Sequence, residues 1–156
     1  MIRPNIVLSA AHCEGITNTV TLGLHKVLLT NSETDEFNNI EHINIAESVI
    51  HPKYDDYTLD YDFWLIRLER DSRYGNEIVE LDTPSDDLEL RDMKDELVVF
   101  GFGTTQQGGN QPNIIQEVTV DYMSNDNCGN YGLNDLTDNM LCAGRQGKDS
   151  CQVRGS

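Results

Sequence analysis

The stretch Asp62-Phe63-Trp64-Leu65-Ile66-Arg67-Leu68 (DFWLIRL) puts an acid at the mouth of a short apolar run that holds the chain's one tryptophan. The run reads as a buried strand. An acid touching it needs partners, because an unpaired buried carboxylate is costly. A nearby imidazole would supply one, and an aspartate that holds a histidine by its ring N–H is the orienting half of a Ser-His-Asp site. Taken alone, Asp62 is better read as a strand-start residue capping a turn.

The surrounding sequence has the same texture. Asn5 to Leu8 is apolar and ends in the small residues Ser9, Ala10 and Ala11. Thr17 to His25 alternates, as does Ile40 to Ile50, which Pro52 stops. Glu96 to Gly103 and Ile114 to Tyr122 read as strands, and Asn139 to Gly144 as a short one. Ser124 is placed to cap a short helix in SNDNCGNYG. Thr30 to Asn39 reads as a polar surface loop, and Glu69 to Glu96 as a long acidic connection between domains. Many short strands separated by turns predict an all-β barrel or sandwich.

Charge narrows the partners. Against 11 basic residues stand 27 acidic ones, a net charge of −16, and such a surface repels nucleic acid and anionic membrane. It reads first as a solvated acidic face. No apolar stretch approaches the roughly 20 residues of a membrane span, and MIRPNIVLSAAHC lacks the pattern of a signal peptide. The cysteines Cys13, Cys128, Cys142 and Cys151 lack zinc spacing. Their even number in a loop-rich β chain points to disulfides and an oxidising compartment.

His12 follows two alanines, so little bulk surrounds it and it can be presented at a strand end. His25, His42 and His51 lie in polar or turn contexts and read as structural or surface residues. The segments LSAAHC, HPKY…YDFWLIRL, VVFGFGTT and NMLCAGRQGKDSCQ follow one another along the chain. In that order they closely resemble the chymotrypsin/trypsin-like serine peptidases over essentially the whole length. The resemblance implies two packed antiparallel β-barrels: a first barrel over about 1–75, a linker over about 76–95 and a partial second barrel over about 96–156. It implies peptide hydrolysis through an acyl-enzyme without a cofactor, with His12 as general base and Asp62 as the acid that fixes its tautomer. It further implies Asp149 at the floor of the primary specificity pocket, flanked by Ser150 and Gln152, and hence cleavage after Arg or Lys. Cys128 and Cys142 match a disulfide of the second barrel. Partners would be polypeptide substrates and protein inhibitors, and the location extracellular.

The resemblance breaks at Val153. Where the family continues Gly-Asp-Ser-Gly-Gly-Pro after Cys-Gln, this chain has Val153, Arg154, Gly155 and Ser156. Gly155 stands at the nucleophile's place and Ser156 one position late. The activation sequence and the strands before NIVLSAAHC are absent too, and a domain of this type runs to about 230 residues. The expectation is therefore a trypsin-like endopeptidase chain incomplete at both ends, inactive as given, with Cys13 and Cys151 left without their family partners. The abruptness of the break suggests that the last four residues are misread sequence. The rival reading is a noncatalytic homologue that binds proteins or peptides in the same groove. No metal is implied. Glu33, Asp35 and Glu36 crowd a loop near the family's calcium-binding loop, but Leu24 stands where the first acidic ligand is often found, so a solvated acidic loop is favoured over calcium.

Overall fold

The computed structural model describes residues 1–27, 39–81, 94–104, 109–128 and 136–145. Among them the regular elements are strands and two single-turn 3-10 helices, the all-β class expected. In chain order these are β1 (Ile6–Ser9), a 3-10 turn (Ala11–Cys13), β2 (Thr19–Leu22), β3 (Glu41–Ile50), β4 (Trp64–Leu68), β5 (Glu96–Gly101), β6 (Gln116–Met123), a second 3-10 turn (Asn125–Asn127) and β7 (Cys142–Gly144). The chain divides into two units: Met1–Leu24 with Leu29–Asp86, and His25–Leu28 with Asp87–Ser156.

The first unit holds an antiparallel sheet in the order β1-β4-β3-β2. Its core is made by β4, whose side chains alternate across the sheet. Trp64, Ile66 and Leu68 are buried, while Phe63 and Leu65 are each 45% exposed. DFWLIRL is thus a half-buried strand, not one buried on both faces. The sheet keeps its core on one side, and period-2 geometry sends every second residue outward. Ala11 and Ile43 complete the buried cluster, and Val7, Val20, Leu22, Ile45, Ile50 and Tyr54 pack against it.

Strand β2 is shorter than the alternation of Thr17 to His25 suggests. Gly23 ends it with a φ of +75°, and a Cβ there would collide with the Asn39 carbonyl and the Tyr74 ring, whose hydroxyl donates to that carbonyl. Only glycine has both the conformation and the room.

The second unit carries an antiparallel sheet in the order β5-β6-β7. Val120, Cys128 and Cys142 are buried in it. Cys128 and Cys142 form a disulfide, with Cα atoms 6.0 Å apart. Arg145, just past β7, donates to both Asp121 oxygens on β6 and to Glu96 on β5 (2.5 Å), so one guanidinium ties all three strands. The bridge Lys26–Ile114 and the bond from the Val27 amide to the Asn113 carbonyl (2.8 Å) attach the early segment at 25–27 to this unit. The helix expected after Met123 is a single 3-10 turn. Ser124 stands at its N-cap position, but its side chain makes no capping hydrogen bond.

Candidate active site

Register brings the site together. Strands β1 and β4 are antiparallel, with Ile6 opposite Arg67 and Ser9 opposite Trp64. Just past the Ser9–Trp64 end of that ladder, His12 lies beside Asp62, 50 residues away in sequence. The two alanines leave the chain free to tighten into the 3-10 turn that lifts the imidazole off the strand end.

Asp62 grips His12 twice. Its Oδ1 accepts the His12 backbone N–H at 2.9 Å, and its Oδ2 lies 2.6 Å from His12 Nδ1. A carboxylate can only accept, so Nδ1 carries a proton, and in the neutral ring that tautomer leaves the Nε2 lone pair free. Both oxygens serve one residue, which fixes the imidazole in position and in rotation. The His12 side chain is 48% exposed and that of Asp62 22%. The imidazole is open to solvent while the carboxylate is more sheltered.

The loop before Asp62 is built from its own aspartates. Asp55 Oδ1 accepts the amides of Tyr57 (2.9 Å) and Thr58 (3.0 Å), and Asp60 Oδ1 accepts that of Tyr61 (3.0 Å). The Thr58 and Tyr57 bonds hold the Asp55 carboxyl below its ordinary value of 3.8. Leu59 and Tyr61 adopt left-handed backbone, with φ of 59° and 52°. Such residues each cost on the order of 1–3 kcal/mol and persist only where the surroundings over-determine them. Tyr54 packs on the core close enough to Asp62 to feel its charge. Burial first, then the charges of Asp62, Asp56 and Asp55, raises its phenol above 10.0 and keeps the hydroxyl neutral.

Of the residues named from sequence, His12 and Asp62 are hydrogen-bonded, and Cys128 and Cys142 are covalently joined. Asp149, Ser150, Gln152 and everything after them lie outside the described residues, as do Cys151, Glu33, Asp35 and Glu36. Cys13 is a free, half-buried thiol. His42 bonds to Thr21 Oγ1 (3.0 Å), and His51 accepts the Lys53 amide (3.2 Å), so both have local structural partners. Among the described residues no group of three His, Cys, Asp or Glu is arranged to hold a metal, and no helix is long and apolar enough to cross a membrane. Sequence reasoning missed the His12 amide bond and the contacts of Tyr61, because neither backbone direction nor a positive φ leaves a local signature in residue identities.

An all-β chain with an aspartate-anchored histidine at the end of a sheet has the layout of the chymotrypsin-like class of serine peptidases. The family model for Trypsin matches residues 1–153. The chain is 34% identical to Trypsin-1 of Astacus astacus over 113 residues, covering 70% of this chain and 46% of that protein. It is 32% identical to a Trypsin of Xenopus laevis over 155 residues, 97% of this chain and 60% of the relative. It is also 30% identical to Serine proteinase stubble of Drosophila melanogaster over 164 residues, 97% of this chain and 20% of that protein. The chain therefore belongs to the trypsin family, and it spans less than two-thirds of the length of each of these relatives.

Proposed function

We propose that the chain is the base-bearing part of a secreted trypsin-like serine endopeptidase that cleaves after Arg or Lys. The double hydrogen bond between Asp62 and His12 carries this reading. With Nδ1–H held by the carboxylate, Nε2 takes the proton of an attacking serine hydroxyl, and Asp62 stabilises the imidazolium that results. His12 then returns that proton to the leaving amine. The nucleophile is not at its matched position, where Gly155 stands. Asp149 supports the Arg/Lys preference, since a substrate cation entering a pocket needs a paired charge. The Cys128–Cys142 disulfide and the secreted character of trypsins support an extracellular location.

The 156-residue chain alone is expected to show no family-like hydrolysis, because loss of the nucleophile costs about a factor of a million in turnover. Saturable cleavage of an arginine ester that His12→Ala abolishes would contradict this. The decisive experiment reads the nucleic acid beyond codon 152. Finding Gly-Asp-Ser-Gly-Gly encoded in any frame supports the peptidase. A protein completed with it should cleave after Arg or Lys, and Asp149→Ser should remove most of that preference. A stop directly after Ser156 with no such coding downstream would favour a noncatalytic binding homologue.

A further inference from the structure

We propose that Tyr61 is a positioning residue for the His12–Asp62 pair: its ring, held by His51 and Lys53, locks the left-handed turn that aims the Asp62 carboxylate at His12. Left-handed backbone suits glycine, asparagine and aspartate; a tyrosine at φ 52° must be held there by its surroundings. The Phe63 amide donates to the Tyr61 carbonyl at 2.7 Å, closing a three-residue turn with Asp62 at its apex. The direction in which Asp62 leaves the backbone therefore depends on the conformation of Tyr61.

The ring supplies the restraint. It stacks on His51 with centroids 4.6 Å apart and planes 4° from parallel, and Lys53 Nζ lies 5.2 Å from its centroid. His51 is itself fixed. Its Nδ1 accepts the Lys53 amide, its own amide donates to the Phe63 carbonyl at 2.9 Å, and its ring meets the edge of Phe63. So the residues on either side of Asp62 are both held by the segment at 51–53, at the end of β3. The backbone amide of Tyr61 is tied in turn to Asp60 Oδ1. The turn is held on both sides of Asp62, and the Tyr61 ring restrains it from the side chain of the left-handed residue itself.

The proposal rests on reading His12 and Asp62 as base and orienting acid, but its test needs no turnover. In the full 156-residue chain with 15N-labelled histidine, the proton on His12 Nδ1 held by Asp62 should give a low-field resonance. Tyr61→Phe keeps the ring and should keep the resonance. Tyr61→Ala leaves the strained position without its restraint; the resonance should be lost to exchange with water, while emission from the buried Trp64 stays native. Should Tyr61→Ala fail to fold, His51→Ala keeps the Tyr61 side chain, removes the stack together with the Lys53 amide bond and the Phe63 contact, and should still broaden the signal. An unchanged resonance in a folded Tyr61→Ala or His51→Ala chain would overturn the proposal. A completed but inactive protein whose resonance still depends on Tyr61 would sink the peptidase reading and leave this one standing.

Discussion

Glu41 shows how a single acid is made tolerable inside the first unit. Only 8% exposed, it opens β3 and accepts from Ser72 Oγ (2.6 Å), the Arg70 guanidinium and the Arg73 amide (3.2 Å). The Ser72 bond, with those from Arg70 and Arg73, outweighs burial and holds its carboxyl below the ordinary 4.5. The ionised form is therefore favoured in the folded state. It contributes stability above the unfolded value, and that contribution is lost as pH falls through the lowered folded value. Asp121, held down by Arg145, and Glu47, held down by Arg67, act in the same direction. Urea unfolding should show stability falling as pH drops below about 4.5. Glu41→Gln should be less stable at neutral pH and should fall less steeply in acid. Parallel curves for the two proteins would show that Glu41 is not part of the acid response. Nothing in the sequence around Glu41 marks it as buried, since its partners lie about 30 residues further on.

The strand β4 carries the core of its unit on alternate residues, and the alternation predicts unequal costs within five positions. Leu68 is fully buried, so Leu68→Ala should lose about 2–5 kcal/mol through transfer and cavity terms. Leu65 lies opposite Val49 on the outer face, where both are largely exposed. Leu65→Ala should cost less than about 1 kcal/mol. Trp64 emission followed through urea denaturation measures both, and equal losses would mean that both faces are packed. The strand itself was legible from its β-forming apolar residues. Which face it buried was not, because Phe63, Trp64, Leu65 and Ile66 are all apolar and the alternation appears only when neighbouring strands choose a side.

Over the whole molecule the net charge of −16 outweighs the ion pairs that arginine makes with Glu41, Glu47, Asp121 and Glu96. Such pairs are worth little where exposed, and the excess acid repels itself in the compact state. Raising ionic strength from about 0.01 M to 0.15 M shortens the screening length from about 30 Å to 8 Å. That should raise the thermal midpoint at neutral pH, because long-range repulsion is screened before the closest pairs are. A midpoint that falls with salt would mean that the local pairs dominate.

The sequence by itself determined the class of fold and put His12 and Asp62 forward as a pair. Strand-forming residues between turns set an all-β chain, and the motifs around His12 and Asp62 named the pair. Those properties are local, carried by residue type and spacing. Only the tertiary structure decided how the pair is made. Antiparallel register between β1 and β4 carries Asp62 across 50 residues to both the amide and Nδ1 of His12. A left-handed turn held by a tyrosine ring sets the direction of the acid. The physical reason is that register, backbone sign and ring stacking depend on which distant segments meet, and residue identity at one position does not encode them.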